Sequence, residues 1–449
     1  MINSVNNIKL EQAKIIFKIK KYVRKQYKID KFFFYKDENY FINWAETEGK
    51  LKLKLILNNK LSKFTFIERL KYFFRKIIHQ EQDYEIINYA KNYNLYNNLV
   101  FSYFSNNDIV NLNIIDRFFS ENTFDNKRTL WLMLYQGNEK IILKKKYRNI
   151  IILKKKIFFN DKVNFFLLIY KFFFLFKKIN FEKNKIHLSL NLVLNKILLK
   201  NKINSFIYPF ESQPLQHYIR FLVNKIDPYI KCFPYLHTSL PALPTEFILS
   251  KFYPNNLLSH GIENRIILKK LGWEKINFII NKSFRYKKKE KNFFKNKIFL
   301  PYDFKDTTHI CNQIKKIINL KDFKIFANFE IVNHPFMSNS KKHLNLIKIL
   351  NTLMSDSKNR TNDFCICIGS TATVIESLEN NVDVVHLVCE PIFEVYTSAL
   401  WRNLNTKILD ENIFYYNLKK KKSYINLGMK NQFIKFQKKL NFNSSQKYN

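Results

Sequence analysis

The stretch Asp363 to Pro391, DFCICIGSTATVIESLENNVDVVHLVCEP, constrains the fold of this chain more than any other. Phe364 to Ile368 is a short, wholly apolar run suited to a buried parallel strand, and it stops at Gly369. Ser370, Thr371 and Thr373 follow, then a helical pattern with Val374, Ile375 and Leu378 on one side, then a second apolar run from Val382 to Cys389. The spacing predicts a strand, a turn, a helix and a second strand. The first N–H groups of a helix have no partners inside it, so such a turn is ready to take an anion. It reads equally as an ordinary Ser/Thr-capped helix start in a parallel sheet, and the rest of the chain has to decide.

At 449 residues the chain is too long for one hydrophobic core, and two or three domains are expected. Its composition leans toward Phe, Ile, Lys, Asn and Tyr, so a glycine, proline or histidine tells more here than a lysine does. The formal charge of +41 draws the protein toward anionic surfaces such as phospholipid headgroups, nucleic acid or sugar phosphates. Lysine is spread through nearly every segment, with no zinc-finger spacing and no arginine-rich reading helix, which argues against nucleic acid as the partner. Five cysteines without a disulfide-like arrangement fit a reducing cytoplasm, and no signal-peptide pattern opens the sequence. Val163 to Phe176 (VNFFLLIYKFFFLF) is shorter than the roughly 20 residues of a bilayer span. It reads as a buried helix or as an interfacial segment resting on an anionic membrane.

The first two hundred residues hold no proline and only two glycines, Gly49 and Gly137. Asp83 to Tyr96 has a helical pattern, and Arg128 to Tyr135 (RTLWLMLY) is an apolar helix or strand. Glu46 and Glu48 beside Gly49 form an acidic cluster that could hold a general base, or a solvated turn. From Ile203 the texture changes. Ile203 to Tyr208 reads as a strand, followed by a helix QPLQHYIRFLVNKI with Pro214 in its first turn. Further strands are expected at Lys231 to Leu236, ending at His237, at Phe252 to His260, and at Ile276 to Ile280, with a helix from Glu263 to Leu271. This is the doubly wound α/β pattern, in which ligands bind beyond the carboxyl ends of the strands.

Arg285 to Lys297 reads as a basic connector. A second sheet then begins with Ile298 to Leu300, a helix Thr308 to Leu320, a strand ending at Asn333-His334-Pro335, and a helix His343 to Leu353. The expected organisation is an N-terminal Rossmann-like domain with helical insertions over 1–290, a second Rossmann-like domain over 291–407, and a helical tail over 408–449 with a disordered end. His334 can donate to a phosphate oxygen, with Pro335 fixing the turn; Gly369 and the hydroxyls of Ser370, Thr371 and Thr373 can take the remaining oxygens. Glu376 could accept from a ribose hydroxyl or simply be a solvated helix residue. Neither a Walker loop nor a GxGxxG fingerprint is present, and no DxD-type metal site is seen.

These motifs resemble the two-domain GT-B glycosyltransferases, and more narrowly the bacterial surface-carbohydrate and capsule branch that uses CMP-activated sugars such as sialic acid or Kdo. His334-Pro335 matches its HP motif and Ser370-Thr371 its S-S/T motif. YPFESQPLQ (Tyr208 to Gln216) is similar to a YPFE(N/G)QPWE stretch, with Leu215 in place of the tryptophan. His237-Thr238-Ser239 resembles a QH(S/G) strand end, and Leu257 to Trp273 followed by NKSFRY resembles the unit closing the N-terminal domain. The resemblance covers Tyr208 to Trp401, less than half of the chain. It implies two Rossmann-like domains facing a crevice, a metal-independent transfer of sugar without a cofactor, and a nucleotide-sugar donor. The acceptor would be a surface glycan or lipid-linked oligosaccharide, and the place the cytoplasm, at the anionic inner-membrane surface. The acid–Gly motif holding the general base would be Glu48-Gly49. Glu211 and His237 are further acceptor-side candidates; Glu211 also reads as a cap for the helix at Pro214, and His237 as a core histidine. CDP-glycerol-type glycerophosphotransfer and a non-catalytic nucleotide-sugar-binding role share the same features.

Overall fold

Two sheets flanked by helices form in the computed structural model, which describes residues 4–29, 84–90, 96–119, 127–137, 141, 143, 149–155, 185–248, 254–281, 283–286, 293–304, 306–319, 329–334, 337, 340–354, 363–420 and 424–425. Glu46, Glu48, Gly49, Pro335, the segment 163–176 and the end of the chain lie outside these residues. The elements in chain order are α1 (Val5–Ile29), β1 (Tyr84–Asn88), β2 (Asn98–Phe104), β3 (Ile109–Val110), β4 (Asn113–Ile114), β5 (Thr129–Tyr135) and β6 (Ile150–Lys155). Next come α2 (Lys185–Lys200), β7 (Ser205–Phe210), α3 (Pro214–Ile226), β8 (Lys231–Leu236), β9 (Asn256–His260), α4 (Ile262–Lys270) and β10 (Asn277–Asn281). The remainder is β11 (Lys297–Phe299), α5 (Thr307–Ile318), β12 (Glu330–Val332), α6 (Lys341–Met354), β13 (Phe364–Ile368), α7 (Thr373–Glu379), β14 (Asp383–Leu387), α8 (Pro391–Glu394), β15 (Leu404–Asp410) and β16 (Ile413–Leu418). Among the described residues no helix is long and apolar enough to cross a membrane.

The chain divides into two compact units. The first comprises 1–23, 236–250 and 258–436, the second 24–235, 251–257 and 437–449. The larger sheet runs β1-β6-β5-β2-β7-β8-β9-β10. Counting from β2 and as far as β9, its order is 3-2-1-4-5-6, the doubly wound order of dinucleotide-binding sheets, with β10 beyond β9 and β1 added antiparallel at the other edge. β2 pairs parallel with β5 and with β7, and every residue of β2 and β7 is buried, as expected of strands covered on both faces. Pro214 opens α3 as the sequence predicted.

The smaller sheet, all within the first unit, runs β12-β11-β13-β14-β16-β15. Its first four strands are parallel and the last two antiparallel. Ile366, Ile368, Val385 and Leu387 turn one face toward Ile310, Ile314 and Ile317 of α5 and Leu346 and Leu350 of α6. By the period of two, Cys365, Cys367, Val384 and His386 turn to the opposite face. Asp306 caps α5, its carboxylate accepting from Thr308 N (2.8 Å) and His309 N (3.2 Å).

Two expectations are corrected. Residues 408–418, expected to open a helical tail, instead belong to an antiparallel hairpin: β15 and β16 turn at Glu411-Asn412, where Asn412 takes φ 63, and Ile413, Phe414, Tyr415 and Tyr416 open β16. Tyr84 to Asn88, read as helical, is an edge strand instead, because pairing with β6 outweighs a weak local preference.

Candidate functional site

Among β11 to β14 the spatial order is 2-1-3-4, so the chain reverses its winding direction between β11 and β13. Crevices of α/β sheets open beyond the carboxyl ends of the strands at such a switch point. β11 leads there into Leu300-Pro301, and β13 into Gly369. The two ends touch: a Cβ on Gly369 would stand 3.5 Å from Pro301 Cβ.

Two buried histidines hold these strand ends. His386 Nε2 donates to the Gly369 carbonyl at 2.7 Å, while its Nδ1 lies 3.3 Å from the Tyr416 hydroxyl. Burial pushes this ring down to about 4, so it stays neutral at pH 7 with its proton on Nε2. On the other side of the switch point, His343 Nε2 donates to the Pro301 carbonyl at 3.0 Å and Nδ1 faces Ser340 Oγ at 3.1 Å. Beyond Gly369, which takes φ +64, the Thr371 carbonyl accepts from the Tyr396 hydroxyl at 3.2 Å. Thr371 Oγ1 in turn accepts from Thr373 N at 3.2 Å and donates to Thr373 Oγ1 at 3.0 Å. The carbonyls of Gly369 and Thr371, the N–H groups of Gly369 and Thr373 and the Thr371 hydroxyl are thus committed within the protein. Ser370 is exposed. The helix that follows has seven residues, so loop donors rather than a long dipole must supply any attraction for an anion. Glu376 is half-buried in α7 and close enough to Cys367 to help raise that thiol, after burial and Cys365.

His334 follows β12, two strand spacings or about 10 Å from β13. Its carbonyl accepts from Met337 N at 2.8 Å, and Asn333 Nδ2 donates to the Met337 carbonyl at 2.9 Å, which makes a tight turn. Its ring meets Tyr302 edge-on at 5.4 Å. Burial first, then Arg285 and His343, push the His334 imidazole below its ordinary value, so it is a neutral donor beside a permanent cation. Arg285, exposed, places its guanidinium 5.3 Å over the Tyr286 ring. Sequence reading assigned Arg285 to a connector and did not select it; NKSFRY at the end of the motif-bearing segment was the available signal.

His237 is buried, and its neighbour is His260 at the end of β9. His260 is pushed down to about 4 by burial, and its ring meets Tyr286 edge-on at 6.1 Å. Tyr286 in turn is near enough to Tyr396 to raise that hydroxyl, after burial and Cys367. The first unit therefore carries His334 and the 369–373 loop after β12 and β13 of one sheet, with Arg285 acting on His334, and His237 linked to the loop through His260, the half-buried Tyr286 and Tyr396.

Glu211 stands at the corresponding switch point of the larger sheet, just after β7. It does not cap α3. Gln216 Oε1 accepts from Glu211 N (2.7 Å) and Gln213 N (3.1 Å), while the Glu211 carboxylate accepts from Gln213 Nε2 at 3.0 Å. In the same unit, Asp116 accepts from the Ser102 hydroxyl and from Phe118 N (2.9 Å) and Phe119 N (2.7 Å). Burial nonetheless pushes its carboxyl up to about 6, with Asp108 adding to the rise. Nothing in the sequence around Asp116 marks it. Among the described residues no group of three or more His, Cys, Asp or Glu is placed to hold a metal. No family model, curated protein or solved structure matches the chain.

Proposed function

We propose that this chain is a glycosyltransferase of GT-B architecture that draws on a nucleotide-activated sugar, CMP-linked in the first instance, to extend a surface glycan or lipid-linked acceptor. The observation that carries the reading is the β11/β13 switch point, where the 369–373 loop follows β13, His334 follows β12 on the same side of the sheet, and Arg285 is near enough to His334 to act on its ring. Those groups suit a phosphate: the guanidinium neutralises charge, the neutral imidazole donates a proton in a hydrogen bond, and the loop supplies short N–H and O–H donors. In transfer, the acceptor oxygen bonds to the sugar's anomeric carbon while that carbon's bond to the phosphate oxygen breaks. The electron pair leaves on the phosphate, and His334, Arg285 and residues 370–373 stabilise the charge that grows there. The acceptor proton needs a base, and by the resemblance Glu211 and His237 are the candidates. By analogy with the resemblance, the reaction is metal-independent and takes place in the cytoplasm at the inner membrane.

Titration calorimetry with CMP, CDP and UDP tests it. Wild type is expected to bind a cytidine nucleotide, and His334→Ala and Arg285→Ala each to weaken it by about tenfold or more. Glu211→Gln should leave nucleotide affinity within about twofold and lower the turnover of donor. Absence of nucleotide binding, or equal affinities in wild type and both substituted chains, would sink the phosphate site.

A further inference from the structure

The outward face of α1 is a second feature with a chemistry of its own, and it stands independently of the nucleotide site. Ile8, Gln12, Ile15 and Ile19 form the buried stripe of this helix. Gln12 fixes its rotation: Nε2 donates to the carbonyls of Ile392 (2.9 Å) and Val395 (2.8 Å), and Oε1 accepts from Thr397 Oγ1 at 2.6 Å. At about 100° per residue, Leu10 and Phe17 fall opposite that stripe. They are 56% and 68% exposed, two turns apart on one side of the helix. Lys14 and Lys21 are exposed on the same side, and Lys18 is exposed on its flank. The acidic residue Glu11 lies toward the flank and is paired with Lys14 at 2.7 Å.

We infer that this face of α1 docks on an anionic lipid bilayer, with Leu10 and Phe17 entering the headgroup boundary and Lys14, Lys18 and Lys21 meeting lipid phosphates. Large apolar residues at the centre of an exposed helix face with lysines beside them are the composition of an interfacial helix. The other occupants fit less well. A nucleic acid would leave Leu10 and Phe17 without a partner, since its backbone is met by charge. A second copy would bring the same lysines against these, on a chain already carrying +41.

Co-sedimentation of the full chain with vesicles is the test. Wild type is expected to bind phosphatidylglycerol/phosphatidylcholine vesicles and not vesicles of phosphatidylcholine alone. Leu10→Ser/Phe17→Ser, which keeps every charge, should bind the anionic vesicles about tenfold more weakly with unchanged melting temperature. A Phe17→Trp chain should gain an emission component, relative to wild type, that shifts to the blue on anionic vesicles, which plain charge attraction elsewhere on the surface would not produce. Equal vesicle binding by wild type and the double variant, or no blue shift from the indole introduced by Phe17→Trp, overturns the inference. So does self-association or RNA binding that the double substitution abolishes while vesicle binding persists. Nucleotide affinity is measured on the same preparations, so failure of the docking face is distinguishable from failure of the phosphate site.

Discussion

Gly261→Ala is expected to destabilise the first unit by about 4 kcal/mol or more, enough to prevent its folding in an otherwise marginal chain. Gly261 stands directly before α4 with φ 73 and ψ 145, a conformation that side chains rarely adopt. A Cβ there would lie 1.9 Å from the Tyr424 carbonyl oxygen and 2.2 Å from its carbon, so the clash is with backbone and cannot be relieved by a rotamer change. The backbone it would displace is tied in place. Glu379 accepts from the N–H groups of Tyr424 and, at 2.7 Å, Ile425, and Asn264 Nδ2 donates to the Tyr424 carbonyl at 2.8 Å. Tyr424 and Ile425 are fully buried, and the Tyr424 ring lies 5.1 Å from Trp401. Expelling them would lose about 1.5–3 kcal/mol of burial for each side chain, in addition to leaving the Glu379 carboxylate without its two donors. Urea unfolding followed by near-ultraviolet circular dichroism checks this. A loss below about 1 kcal/mol would show that the Tyr424 segment does not pack on Gly261 in solution.

Acid is expected to move the stability of the two units in opposite directions. In the first unit, His260 and His386 are pushed from 6.5 down to about 4 by burial. The unfolded chain takes up protons below about pH 6.5 while the folded unit does not. Stability contributed by these two sites is therefore complete above that pH and is lost as pH falls toward 4, by about 2–3 kcal/mol per pH unit when both act together. Asp116 in the second unit runs the other way. Its folded carboxyl is pushed from 3.8 up to about 6, so the folded form binds the proton first, and stability rises as pH falls through that interval by about 1 kcal/mol per unit. Segment-resolved amide exchange at pH 7.5 and 5, corrected for intrinsic rates, reads both units in one sample. Protection of β13 and β14 should fall relative to that of β2 and β5. Parallel changes in the two would contradict the assignment of these buried groups.

How much of this was legible in the sequence differed with the kind of signal. Helix α3 was announced by Pro214, and the β13 turn by Gly369 ending an apolar run, because proline fixes its own φ and glycine reaches the positive φ that other residues avoid. The β15/β16 hairpin left no clear sign, since Ile413 to Tyr416 is a continuous apolar run rather than an alternation and lysine and asparagine surround it. His334 was recognisable from its place after a strand and before a proline. His343 and His386 were not, because what makes them important is a carbonyl 42 or 17 residues away, and long-range pairing leaves no local pattern. Arg285 was hidden in a lysine-rich background in which one more cation carried no weight. Asp116 had no flank that set it apart from any other loop carboxylate.

Because His217, His237, His260, His343 and His386 are all buried, an acylating reagent has few imidazoles to find among the described residues. Diethyl pyrocarbonate should modify His334 and His309, both partly accessible, well ahead of the buried five. His309, on α5, then serves as an internal standard, and slower acylation of His334 in the presence of a cytidine nucleotide would report occupancy of the proposed phosphate site. With His343 and His386 buried at the strand ends, His334 is the more accessible of these three imidazoles, and it can be followed without a substitution anywhere in the chain.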